Sequence, residues 1–243
     1  MYSILLKVRY SECDKRAQLT LASLINYLQD ISAFLCESGE YGFTYLRERH
    51  LAWFVLGWHI EMTRMPCFLE DICFHTWLSE SKATYVRNSF ALEDETGSFP
   101  IRASALYALV DKQTGRPVRI PSELTGAPEE HPDTDLGPMR RKIEVTGNGT
   151  PLASVTVTDH HLDLNDHMNN GQYVQIADDT IRQLDPDFKV GTLRVQYIRP
   201  AKLNDTISPV LHVKSDRRIL DLAAQDGKSW AVVEMAPRTE NAL

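Results

Sequence analysis

Met65-Pro66-Cys67-Phe68-Leu69-Glu70-Asp71 and Arg199-Pro200-Ala201-Lys202-Leu203-Asn204-Asp205 carry Pro, Leu and Asp at the same spacing, the two prolines 134 residues apart. A proline-led turn that returns once in 243 residues marks a duplicated unit. Upstream of the first turn, Leu21, Leu24, Ile25, Leu28, Ile31 and Leu35 form an apolar stripe at helical spacing. Upstream of the second, Tyr173, Ile176, Ala177, Thr180, Ile181 and Leu184 do the same, behind the cap-forming Asn169 and Asn170.

Strand patterns surround both stripes. Residues 2–10 precede the first helix, and 51–65, 72–81, 84–93 and 101–111 follow it. In the second half, 153–157 precede the helix, and 190–199, 206–213, 218–223 and 229–236 follow. Leu193, Val195 and Tyr197 alternate with Thr192, Arg194 and Gln196, as a sheet with one buried face requires. A strand, one long helix and a run of strands, occurring twice, predicts an α+β fold. Each helix would be wrapped by an antiparallel sheet, which makes a tandem (double) hotdog. One feature resists: with the turns aligned, Trp58, Ile60 and Met62 fall out of phase with Leu193, Val195 and Tyr197.

Between the halves, residues 121–151 collect five prolines and four glycines, which excludes regular helix or central strand. The expected division is an N-terminal hotdog over 1–125, a surface linker over 126–150 and a C-terminal hotdog over 151–243. Before the helices, Asp14 and Asp163 pair at a separation of 149 residues, so the first half holds 15 extra residues between helix and strand. They are expected at 37–50, with a short helix around 45–49.

Composition is that of an ordinary globular chain, at 43% hydrophobic and 24% charged. A net charge of −7 argues against nucleic acid or anionic membrane as a partner. No apolar run approaches the roughly 20 residues of a membrane span. The first residues do not read as a secretory signal. Cys13, Cys36, Cys67 and Cys73 show no C-x-x-C spacing. They are expected as reduced thiols of a cytoplasmic protein.

The chemistry concentrates in 159–173, Asp-His-His-Leu-Asp-Leu-Asn-Asp-His-Met-Asn-Asn-Gly-Gln-Tyr. Asp163, Asn165 and His167 are spaced by two, so in an extended loop a carboxylate, an amide and an imidazole project to one side. The helix behind them offers N–H groups and the positive end of its dipole, a site for the oxyanion of acyl transfer. The carboxylate or the imidazole can deprotonate water, or Asp163 can attack directly. Asp and Asn before a helix are also ordinary caps, but capping needs one or two of them, not the whole cluster. The first half supplies a control: Asp14 is followed by Arg16, Gln18, Thr20 and Leu21, so the fold tolerates loss of the Asn, the His and the double Asn. One active site is therefore expected, in the second half. A metal on His160, His161, Asp163 and His167 fits neither H-E-x-x-H nor EF-hand spacing, and no cofactor motif is present.

Residues 163–173 resemble the Asp-x-Asn-x-His-Val-Asn-Asn-x-x-Tyr signature of the acyl-acyl carrier protein (acyl-ACP) thioesterases, the plant-type family with bacterial members. Trp53-Phe54-Val55-Leu56, Thr76-Trp77 and Val110–Asp111-Lys112-Gln113-Thr114-Gly115-Arg116-Pro117 resemble it too, so the likeness covers nearly the whole chain. It implies hydrolysis of fatty acyl-ACP with Asp163, Asn165 and His167 as catalytic residues, no cofactor, no metal, and an acyl-chain pocket in the first half. Plant members carry Glu-Cys after the Tyr-x-Arg of the next strand. Here Tyr197-Ile198-Arg199 leads into Pro200-Ala201, which removes a cysteine nucleophile from that position and leaves Cys67 as its nearest counterpart. Asp179 is a further acidic candidate on the helix. Trp53, Phe54, Trp58 and Trp77 are candidate tunnel walls. Acidic acyl carrier protein calls for a basic patch, with candidates Arg140-Arg141-Lys142, Arg116 with Arg119, and Lys214 with Arg217-Arg218. Two other readings remain open: an acyl-CoA thioesterase, and a non-catalytic acyl-binding module. A homodimer also stays open, because two fused hotdogs already supply the pairing that single ones gain by dimerising.

Overall fold

The computed structural model describes residues 1–131 and 133–238, so Pro132 of the expected linker and 239–243 of the expected C-terminal unit lie outside the described residues. The first half contains β1 (Tyr2–Lys7), α1 (Leu21–Glu37), α2 (Phe43–Glu48), β2 (Leu51–Met62), β3 (Asp71–Ser81), β4 (Val86–Asp94), β5 (Ile101–Asp111) and β6 (Arg116–Pro117). The second contains β7 (Thr150–Pro151), β8 (Val155–Thr156), α3 (Asn170–Leu184), β9 (Val190–Tyr197), β10 (Thr206–Lys214), β11 (Arg217–Ala223) and β12 (Ser229–Pro237). The expected short helix is α2. The expected 153–157 strand is shortened to β8 on β10, and β7, which precedes it, pairs separately with β10.

All of these strands join one antiparallel sheet in the order β1-β3-β4-β5-β2-β9-β12-β11-β10-β7, with β6 on β5 and β8 on β10. The halves meet where β2 pairs with β9, from Gly57 opposite Gln196 to Glu61 opposite Thr192. On one face lie the two long helices. Thr20 starts α1 by accepting the Ser23 N–H at 3.1 Å. The stripe Leu21, Leu24, Ile25, Leu28 and Ile31 is buried in one core with Trp58, Ile60, Phe74 and Phe90. Tyr173, Val174, Ala177 and Ile181 of α3 enter the same core. The helices approach closely at Gly171, where a Cβ would stand 2.9 Å from Asn26 Oδ1 and 3.0 Å from the Ala22 carbonyl. Two helices on one continuous antiparallel sheet make the double hotdog. No helix among the described residues is long and apolar enough to cross a membrane.

The repeat is real, but its register is not the one the matching prolines suggest. Leu69 and Asn204 are the paired left-handed residues, at φ 71° and 69°. The Leu69 N–H bonds the Val8 carbonyl and the Asn204 N–H bonds the Val157 carbonyl, both at 3.0 Å. Likewise Leu19 N–H bonds Pro66 O while Met168 N–H bonds Ala201 O. Pro66 therefore corresponds to Ala201, and the true separation is 135 residues. This one-residue correction removes the phase conflict. Trp58, Ile60 and Met62 now superpose on Leu193, Val195 and Tyr197, all buried.

The Pro- and Gly-rich linker crosses the outer face of the sheet as a strap. Asp135 takes the Arg87 guanidinium at 2.6 Å and Ser89 Oγ at 3.1 Å. Further on, the carbonyls of Arg140 and Lys142 accept Arg194 at 2.8 and 3.2 Å, and Ile143 packs on Ile219 and Val232. Trp77 lies on this outer side, packed against His131 with ring centroids 4.7 Å apart and the planes tilted by 59°. That removes it from the set of tunnel-wall candidates, whereas Trp58 is fully buried in the core.

Gly57 sits at an irregularity of β2 against β5, and a Cβ there would collide with the Val195 carbonyl of β9. Gly57→Ala is expected to destabilise the chain by about 1–3 kcal/mol, read as a lowered thermal midpoint. An unchanged midpoint would mean that the joint between the halves is not tightly packed.

Candidate active site

The segment 163–167 is not an extended loop. A bridge between Leu162 and Met168 closes its base, and the Asp163 N–H bonds the His167 carbonyl at 2.8 Å. Asp163 Oδ1 accepts the N–H of Asn165 at 2.7 Å and that of His167 at 3.4 Å, while Asp166 turns the chain with φ 59°. The first half contains the same loop. Cys13 bridges Leu19, and the Asp14 N–H bonds the Gln18 carbonyl at 2.8 Å. Asp14 Oδ1 accepts Arg16 and Gln18 N–H groups at 2.9 and 3.2 Å, and Ala17 has φ 59°. The aspartate is thus common to both loops as the acceptor that closes the turn. Asn165 and His167 replace Arg16 and Gln18 and serve no bond of the loop through their side chains.

Three of the expected residues therefore come together in one turn, for different reasons. Asp163 is partly buried with Oδ1 committed to the backbone. Asn165 stands exposed at the tip, where its Oδ1 accepts the Lys112 ammonium at 3.2 Å. His167 is partly buried, its ring centroid 6.2 Å from that of Phe54 on β2. Phe54 and Lys112 both belong to the first half, so the site spans the two repeats. Burial lowers the His167 pKa below its ordinary value. The Asp163 charge opposes that shift, and Lys202 and Lys112 reinforce it. The position of Lys202 follows from the duplicated geometry: its counterpart Cys67 bridges Gln18, the counterpart of His167.

Several expectations change here. Cys67 corresponds to Lys202 and not to position 201, so the first half has no cysteine matching the plant one. Ala201 is fully buried, its N–H donated to the Tyr173 hydroxyl at 2.9 Å. Of the α3 N–H groups offered for an oxyanion, Gly171 and Gln172 are taken by the side chain and carbonyl of Asn169 at 2.7 and 2.9 Å. Asp179 is exposed and bonded to Gln175. The buried helical carboxylate is Asp178, which holds Arg182 at 2.8 Å, and Arg182 reaches Asp14 at 3.2 Å. The first-half loop is thus filled by an ion-pair chain from α3. His161 spends Nδ1 on the Thr158 N–H at 3.0 Å. No group of side chains suited to a metal occurs among the described residues. Of the basic clusters, Arg217 and Arg218 are paired with Glu234 and Asp185. The positive charge acting on the site comes from Lys112 and Lys202, which the sequence reading missed.

Residues 1–127 match the family described as acyl-ACP thioesterase N-terminal domain, and 151–234 match the acyl-ACP thioesterase C-terminal domain. The chain belongs to the acyl-ACP thioesterase family. Among curated thioesterases, it is 27% identical over 171 residues to the chloroplastic acyl-[acyl-carrier-protein] hydrolase FATB3 of Cuphea viscosissima, covering 64% of this chain and 40% of that protein. It is 26% identical over 180 residues to the chloroplastic palmitoyl-acyl carrier protein thioesterase of Gossypium hirsutum, covering 69% and 44%. The chain spans about half the length of the curated relatives it matches. Among solved structures, an acyl-ACP thioesterase from Bacteroides thetaiotaomicron superposes with TM-score 0.85 at 20% identity, covering 97% of this chain and 96% of that one. The 12:0-ACP thioesterase from Umbellularia californica does so at 0.80 and 18%, with the same coverage. These likenesses establish the double hotdog for this family member.

The electrostatic surroundings of His167 predict its titration. Its ring resonances in NMR are expected to report a midpoint below the ordinary histidine value of about 6.5. Asp163→Asn removes an opposing charge and should lower the midpoint further, whereas Lys202→Met should raise it. A wild-type midpoint at or above the ordinary value would contradict this account of the site.

Proposed function

We propose that this chain hydrolyses the thioester of fatty acyl-ACP, releasing free fatty acid and the carrier thiol. Family membership supports the reaction class. The observation that carries the assignment of residues is the pair of loops closed by the same backbone bonds, of which only the second bears an imidazole, with a carboxamide at its tip in place of Arg16. Neither side chain is needed to close the turn, so their presence has to be explained by something other than folding.

The chemistry is general-base hydrolysis. Neutral His167, favoured by its burial, takes a proton from a water molecule as that water attacks the thioester carbonyl carbon. Asn165 Nδ2 donates to the oxygen as it becomes negative. Asp163, fixed by the N–H groups on Oδ1, supplies the negative charge that stabilises the imidazolium. Collapse of the tetrahedral species breaks the C–S bond, and the imidazolium proton passes to the departing thiolate. The products are a carboxylic acid and a thiol, and no enzyme nucleophile is required. That agrees with Pro200-Ala201 in place of Glu-Cys. The second half then does the chemistry while the first half holds the acyl chain, with acyl carrier protein in the cytoplasm as the partner.

The test is hydrolysis of a panel of acyl-ACPs from short to long chain, followed as free thiol. His167→Ala is expected to lose at least about 10²-fold in kcat. Asp163→Asn keeps an acceptor oxygen for the loop and removes the charge, so it should stay folded and lose activity. Asp163→Ala deprives the turn of its acceptor and should lose stability as well. Wild-type activity in His167→Ala, or no thiol release from any member of the panel by the wild-type protein, would overturn the proposal.

A further inference from the structure

The bond between Lys112 and Asn165 crosses from one repeat to the other, and its chemistry is directional. An ammonium only donates, so the end of the carboxamide facing Lys112 has to be the oxygen. Nδ2 is then the end that points away. An exposed asparagine at a loop tip would otherwise turn freely and offer either end to a ligand. The backbone that carries the exposed Lys112 side chain is well held. The Lys112 N–H bonds the His50 carbonyl at 2.7 Å, and the Asp111 carboxylate accepts the N–H groups of Gln113 and Thr114 at 2.8 and 2.9 Å. The Gly115 N–H closes the turn on the Asp111 carbonyl at 2.8 Å, with Gly115 in the left-handed region at φ 67°. The turn stands at the end of the β2–β5 ladder, where Leu51 faces Asp111. A rigid hairpin of the first half thus meets the reactive turn of the second.

We propose that Lys112 is a positioning residue for the hydrolysis: it holds Asn165 by its oxygen, so that Nδ2 is the group presented to the thioester carbonyl. The assignment rests on the function proposed above, in which Asn165 supplies the oxyanion donor. A donor fixed before the reaction needs no reorganisation as charge develops. The first repeat lacks the chemistry, and its role then includes orienting the chemistry of the other.

Docking of an anionic carrier on an exposed lysine would leave the same contact in the structure, so the experiment separates the two. Lys112→Met, Lys112→Arg, Asn165→Ala and the Lys112→Met/Asn165→Ala double variant are assayed on acyl-ACP. They are also assayed on the same acyl chain carried by N-acetylcysteamine, which has neither protein nor phosphate. Lys112→Met is expected to lower kcat about tenfold on both substrates with KM within about twofold, because the donor remains but is no longer aimed. Lys112→Arg should restore most of the rate, and Lys112→Met should cost nothing further once Asn165 is alanine. The side-chain amide resonance of Asn165 should shift in Lys112→Met in the free protein, a readout that needs no turnover. A loss confined to acyl-ACP and to KM, an equal loss in the Asn165→Ala background, or an unmoved Asn165 resonance would overturn the positioning role. Failure of the wild-type protein on both thioesters, with the resonance shift present, would instead overturn the proposed function and leave the contact standing.

Discussion

The ladder between β2 and β9 is the constraint on which the rest of the molecule depends. Each repeat alone would leave a sheet edge open, and an unpaired edge is a liability in water. Pairing Trp58 with Val195 and Ile60 with Leu193 closes both edges on each other and merges two cores into one. Gly57 lets the strands approach where a side chain would strike the Val195 carbonyl. The ladder begins at Gly57, and Phe54, three residues earlier on the same strand, lies against the second-repeat turn that holds His167. The site's composition from both repeats is a consequence of this joint.

The duplicated turn separates what the fold needs from what the proposed chemistry needs. Asp14 and Asp163 do the same structural work, each gathering two N–H groups onto one oxygen. Around Asp14 the remaining oxygen is satisfied by Arg16 and Arg182, and the arginine is balanced in turn by buried Asp178. Around Asp163 the neighbours are an imidazole, a carboxamide and two lysines. One copy is neutralised into an ion-pair chain, and the other keeps an unspent carboxylate oxygen beside a histidine. Duplication allowed this division because each turn is closed by its own backbone bonds and not by its variable side chains.

Much of this was legible in the sequence. The two helical stripes, the extra segment before β2, the linker and the Asp163, Asn165, His167 cluster follow from periodicity, proline placement and residue type. The register of the repeat did not follow. Pro66 and Pro200 match in type, yet Pro66 does the backbone work of Ala201. What the turn conserves is a left-handed residue, Leu69 in one copy and Asn204 in the other, and those share no chemistry. The phase of Trp58-Ile60-Met62 against Leu193-Val195-Tyr197 carried the correct register, because burial depends on alternation and not on identity. Lys112 was invisible as a site residue, and Phe54 was legible only as a candidate tunnel wall, because it is the packing of the two repeats that brings them to a turn far along the chain. The commitment of Gly171 and Gln172 N–H groups to Asn169 was equally hidden, since a cap and an oxyanion site draw on the same helix terminus.

The central claim is that the second turn folds independently of the side chains proposed to react. It is tested by giving the second turn the side chains of the first, as Asn165→Arg/His167→Gln, and measuring thermal unfolding beside acyl-ACP hydrolysis. The account predicts a cooperative transition within about 2–4 °C of wild type, the shift that roughly 1 kcal/mol produces at this size, and no hydrolysis. A variant that fails to fold, or one that keeps wild-type turnover, would contradict it.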